Sequence, residues 1–120
     1  MIYPQPGSAG SILTLKPRYG NYINGAFVAP VNGVYFSNTS PVDASLIGEF
    51  PRSDAADIEL ALDAAHAAAD AWGKTSVAER SNLLLKIADR LEQNIELLAY
   101  AETVDNGKPI RETLNADIPL

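Results

Sequence analysis

The chain has no cysteine, and only one histidine, one methionine and one tryptophan among 120 residues. Without cysteine these residues can form no disulfide, no thiolate metal site and no thiol nucleophile. No stretch approaches the roughly 18 consecutive apolar residues that a membrane-spanning helix needs. No block of Lys or Arg appears and the net charge is −6. Neither a nucleic-acid footprint nor a polybasic membrane surface is therefore expected. The opening Met1–Gly7 lacks the basic and apolar regions of a secretory signal, so a cytoplasmic location is expected. What the chain does have is alanine. Hydrophobic residues make up 47% of it, but alanine supplies much of that share and buries little area per residue. A thin core follows, in a chain whose length typically hides only about 65% of its unfolded surface.

Residues 1–18 hold three prolines, two glycines and two serines, the composition of an irregular arm. Asn24-Gly25 between Asn21-Tyr-Ile and Ala-Phe-Val28 predicts a tight hairpin, because both residues accept the positive φ of a type I′ turn. Val34–Asn38 is rich in β-formers. Ser40–Ser45 reads as a turn, and Leu46–Pro51 as a short strand ended by its proline. The first half is thus a small antiparallel β-layer.

Period changes in the second half. Ser53 or Asp54 can cap a helix whose apolar stripe is Ile58, Ala61, Leu62, Ala65, Ala68, Ala69 and Trp72. Glu59, Asp63, His66 and Asp70 lie on the opposite face, and Gly73 ends the helix. Ser76-Val-Ala-Glu79 is a capping box for a second helix, with Leu84, Ile87, Ala88 and Leu91 as its buried stripe. Asn94 can cap a third helix that carries Leu97, Leu98, Ala101 and Val104 and stops at Asn106-Gly107, ahead of Pro109. Arg111 onward restarts a helical pattern, with Leu114 and Ile118 on one side. Three to four helices are expected in all.

Glu102-Thr-Val-Asp-Asn-Gly-Lys-Pro-Ile110 resembles a signature near the N-terminal end of the aldehyde dehydrogenase superfamily. Other segments follow the family in order and spacing. Tyr22-Ile-Asn-Gly25 resembles its hairpin, and Ser40-Pro41 with Ile47-Gly-Glu-Phe-Pro51 resembles its next strand segment. Ala64–Trp72, Glu79-Arg80 and Leu84–Glu92 resemble two of its helices. One departure is Ala44-Ser45, where Gly-Glu is usual, so that turn should be built differently. The resemblance spans roughly residues 20–120.

It implies an α/β parent fold of Rossmann type, in which 1–18 is the arm and 19–120 the N-terminal, incomplete part of the cofactor-binding domain. It also implies NAD or NADP as cofactor, an aldehyde oxidised to a carboxylic acid as substrate, and a homo-oligomer (dimer or tetramer). The family's catalytic cysteine, its glutamate, its oxyanion-hole asparagine and its glycine motif belong downstream of Leu120. No catalytic or cofactor-binding residue is expected here, and the chain is expected to continue past Leu120 in the parent enzyme.

The resemblance carries over one site. Asp105, with main-chain oxygens near Asn38 and Thr39, is matched to a structural Na or K ion, since carboxylate and carbonyl oxygens suit such a cation. The plainer reading makes Asp105 part of a helix end. His66 lies on a polar stripe and reads as a solvated surface residue. Ser53, Ser76 and Ser81 lack a nucleophile-elbow motif, and helix capping explains the first two. Lys108 follows no Gly-rich loop and reads as a cation placed near a helix C-terminus. Arg80, on the first turn of its helix, should have an ion-pair partner elsewhere in the parent fold. Trp72 reads as a packing anchor. The rival to the enzyme reading is an autonomous helical protein-interaction module with a β-hairpin arm.

Overall fold

Asn24 and Gly25 take φ angles of 50° and 80°, the two positive values a two-residue hairpin loop requires. They join β1 (Asn21–Ile23) to β2 (Ala26–Val28), antiparallel, with Tyr22 opposite Phe27. The computed structural model describes residues 3–119. Met1, Ile2 and Leu120, the outer ends of the expected arm and domain segment, lie outside the described residues. β3 (Tyr35–Thr39) and β4 (Leu46–Pro51) form a second antiparallel pair. The expected β-layer is thus two separate two-stranded sheets. The Asn21 side-chain amide ties the hairpin to the following helix start, donating to Ser53 and Asp57.

The β3–β4 register slips by one between Asn38 and Thr39, leaving Ile47 unmatched on β4. Such a bulge bends the strand and re-aims its side chains. Here Ile47 is buried. The turn at Ser40–Ser45 closes through Ala44 N–H to the Ser40 carbonyl and Ser40 N–H to the Ser45 carbonyl, both at 2.8 Å. Ala44 itself takes φ 61°. It occupies the left-handed region and bears the strain that a Cβ brings there.

Four helical segments follow: α1 (Ala55–Gly73), α2 (Val77–Gln93), α3 (Ile95–Asn106) and α4 (Ile110–Glu112), the last widening into a π-helical turn over Thr113–Asp117. The starts of α1 and α2 are set locally. Asp54 with Asp57, and Ser76 with Glu79, form reciprocal capping boxes. Asp54 rather than Ser53 is the cap of α1, and Ser53 is held instead by Asn21. Asn94 stands at the N-cap position of α3 without capping it, because its amide turns back to the Arg90 carbonyl. Gly107 ends α3 at φ 78°.

Leu13, Ile47, Tyr100 and Val104 form the core, with Tyr3, Leu15, Phe50, Leu97, Ala101 and Ile110 packed against it. It lies between the N-terminal arm, β4 and α3. The arm is docked: the Tyr3 ring stacks on Tyr100 at 4.9 Å and the Tyr100 hydroxyl donates to the Pro4 carbonyl at 2.7 Å.

The stripes of α1 and α2 do not reach this core. Leu84 is 66% exposed, Ile87 49% and Leu91 47%, against the expectation that they are buried. Ile58, Leu62 and Trp72 are exposed as well, Trp72 by 49%. The amphipathic pattern selects a face for burial, but burial also needs a partner, and the described elements leave most of these two faces exposed, with Ala61 half-buried. The radius of gyration is accordingly 17.5 Å, against about 14 Å for a compact domain of this length.

Candidate functional site

The signature stretch and the end of β3 meet. The Asn38 amide donates to the Asp105 carboxylate at 2.7 Å, across 67 residues of sequence. Two residues on, the Ser40 hydroxyl donates to the Val104 carbonyl, a buried contact. Pro41 completes the junction. A Cβ on Gly107 would fall 2.9 Å from the Pro41 ring, so glycine there serves both the left-handed helix end and the close approach. Asn38, Ser40 and Pro41 reach α3 together because the bulge bends the end of the β3–β4 pair.

The polar groups of the signature are largely spent within its own turn. Gly107 N–H closes on the Thr103 carbonyl at 2.9 Å. The Asn106 amide donates to Glu102 at 3.2 Å, and its oxygen accepts from Lys108 N–H at 2.8 Å. Thr103 and the fully buried Thr113 share a hydrogen bond at 2.9 Å. The Lys108 ammonium lies on Asp117 at 2.6 Å. That bond is the largest cause of its raised pKa, ahead of burial, which acts in the opposite sense. Lys108 is thus tied to a side chain rather than left as a free cation at a helix end.

Of the cation residues, the structure brings Asn38 and Asp105 into contact. Thr39 makes no side-chain bond to Asp105 among the described residues. The Asn38–Asp105 contact is an amide on a carboxylate, which satisfies one carboxylate oxygen without an ion. No cluster of three or more His, Cys, Asp or Glu side chains suited to a metal occurs among the described residues.

A pyrophosphate needs a glycine-rich turn opening onto a helix N-terminus. Here the first turns of α1, α2 and α3 carry Asp57, Glu79 and Glu96, and two of those carboxylates already occupy the free N–H groups. His66 and Ser81 are exposed, and Ser76 is a cap. Arg80 donates to the Thr75 carbonyl at 2.5 Å.

The least legible residue is Asp57. It is 2% exposed and accepts from Val31 N–H at 2.9 Å, Asp54 N–H at 3.0 Å and the Asn21 amide at 3.4 Å. It joins the hairpin, the following loop and the start of α1. Its place three residues after Asp54, as in a capping box, was the one available signal.

The family model described as the aldehyde dehydrogenase family matches residues 27–120. The chain belongs to the aldehyde dehydrogenase family. Its relatives include the acetaldehyde dehydrogenase of Pseudomonas aeruginosa, 72% identical over 100% of this chain and 24% of the relative. A long-chain-aldehyde dehydrogenase of Acinetobacter sp. is 62% identical over the same shares. Among solved structures, PnpE in complex with nicotinamide adenine dinucleotide superposes with a TM-score of 0.82 at 44% identity, covering 84% of this chain and 21% of that one. The NAD-dependent aldehyde dehydrogenase of Sinorhizobium meliloti gives 0.80 at 33% identity, covering 98% and 24%. The chain thus spans about a quarter of the length of the aldehyde dehydrogenases it matches. The strand pairs followed by helices fit a segment of their α/β fold.

Proposed function

We propose that the chain serves an NAD-dependent aldehyde dehydrogenase, an oxidoreductase converting an aldehyde to a carboxylate, as a scaffold rather than as the seat of chemistry. The observation that carries this reading is the 72% identity over the whole chain to an acetaldehyde dehydrogenase. The NAD complex of a relative supports NAD as the cofactor. When bound, that cofactor accepts the hydride. The family resemblance assigns acyl transfer to a cysteine thiolate, and this chain contains no cysteine. Residues 19–120 then form part of the cofactor-binding domain, and 1–18 the arm laid against it. Assembly as a homo-oligomer in the cytoplasm belongs to the same proposal. The rival reading as an autonomous interaction module is not favoured, because the family model matches residues 27–120, which include all of the helices, and a relative aligns over the whole chain.

The test is a chimera. Replacing the matching quarter of the Pseudomonas aeruginosa enzyme with this chain should preserve NADH formation from acetaldehyde, while the chain alone gives none. A folded chimera that oxidises no aldehyde, or turnover by the chain alone, would overturn the reading.

A second part of the proposal concerns Asp105. With main-chain oxygens of Asn38 and Thr39 it holds a monovalent cation, Na or K, as a structural ion. The juxtaposition of Asn38 and Asp105 supports this. At constant ionic strength, Na or K should raise the melting temperature of the chimera relative to a bulky organic cation, and D105N should abolish the difference. Equal melting in all three salts would refute the site.

A further inference from the structure

The chain holds three Asn-Gly dipeptides: Asn24-Gly25, Asn32-Gly33 and Asn106-Gly107. This dipeptide is prone to cyclise, because glycine has no Cβ to shield its backbone nitrogen. By sequence the three are equivalent. Their surroundings are not.

Asn32 is held at both ends of its amide. Its nitrogen donates to the Arg52 carbonyl at 3.2 Å and to Asp54 at 3.1 Å, and its oxygen accepts from Val34 N–H at 2.8 Å. The attacking nitrogen, Gly33 N–H, is itself bonded to the Pro30 carbonyl at 2.9 Å. Asn106 repeats the pattern, with Glu102 on its nitrogen, Lys108 N–H on its oxygen, and Gly107 N–H bonded to Thr103. In both, the side chain must break bonds to rotate, and the nucleophile must leave its acceptor. Asn24 sits exposed at the tip of the hairpin. Among the described residues neither its amide nor Gly25 N–H has a hydrogen-bond partner.

We infer that Asn24 is the deamidation site of this protein. The Gly25 nitrogen attacks Asn24 Cγ, loses its proton and expels ammonia, giving a five-membered succinimide. Water then opens the ring at either carbonyl, leaving aspartate or isoaspartate. The net change is one water consumed and one ammonia released. The isoaspartyl product inserts a methylene into the main chain between Ile23 and Ala26, which face each other across the turn. A two-residue loop cannot absorb that extra atom at unchanged register. The modified hairpin is a substrate by chemical class for isoaspartyl-directed carboxyl methylation.

The test is peptide mapping by mass spectrometry after prolonged incubation at mildly alkaline pH, on native protein and in denaturant. In denaturant the three sites should react at comparable rates. In the native protein Asn24 should convert several-fold faster than Asn32 and Asn106. N24G, which keeps the positive φ, should remove most of the ammonia released. Native conversion at Asn32 or Asn106 as fast as at Asn24, or undiminished ammonia release from N24G, would overturn the assignment.

Discussion

Ser40 and Val104, 64 residues apart in sequence, are joined by a buried hydrogen bond from hydroxyl to main-chain carbonyl. Ser40 is 3% exposed, so no solvent water stands ready to replace it. S40A leaves the Val104 carbonyl without this donor, and an unsatisfied buried acceptor costs about 1–3 kcal/mol. The urea midpoint should fall accordingly, while S40T, which keeps the hydroxyl, should lose less.

Asp57 gathers three donors from three segments, and bonds to an ionised acceptor are each worth about 1.5–3 kcal/mol. D57A should cost at least the lower end of that range. Hydrogen exchange would localise the effect, with the Val31 amide losing protection before amides of α3 do.

Ala44 bears left-handed strain of about 1–2 kcal/mol. Glycine would relieve it but adds about 0.4–1 kcal/mol of unfolded-state entropy. The difference favours A44G by about 0.5–1 kcal/mol, which a rise in thermal midpoint would reveal. A fall would mean that the turn holds alanine without strain.

The Ser76 backbone N–H, and then its hydroxyl, hold the Glu79 carboxyl below its ordinary pKa. A folded-state value lower than the unfolded one stabilises the protein above the unfolded pKa of about 4.3, and this support fades as pH falls through the lowered folded value. Helicity should therefore drop on acidification below that range, and E79Q should flatten this part of the profile. At neutral pH, S76A should lose about 1 kcal/mol.

The open faces of α1 and α2 predict self-association of the chain on its own. Ile58 and Leu62 on α1 and Leu84 and Leu91 on α2 are all exposed, and large exposed apolar faces are of a kind that soluble monomers seldom show. Sedimentation should show a concentration-dependent rise in mass. L84Q with L91Q should lower it while changing stability by less than about 0.5 kcal/mol per site, as surface positions do.

The elements readable in sequence share one property: their determinants lie within a few residues of each other. Asn24-Gly25 specifies a hairpin because both φ preferences are local, and Ser76 with Glu79 specifies a helix start because both partners sit in one turn. Gly107 ends α3 for the same reason. Leu84 and Ile87 mark the limit. Their spacing correctly selects one face of α2, yet no periodicity states whether anything lies on it. Asn38 and Asp105 were paired only through resemblance to a known family, since nothing local links residues so far apart.

The sequence alone determined where turns, caps and helix ends fall, that no thiol chemistry resides in these residues, and which family the chain resembles. Tertiary structure decided the rest. It chose Ser40, Asp57 and Thr113 as buried polar joints, laid the arm on Tyr100, and tied down two Asn-Gly dipeptides while leaving the third free. The division is physical. A φ preference or a capping bond is settled within one turn, whereas burial and long-range hydrogen bonds exist only once distant segments have been brought together.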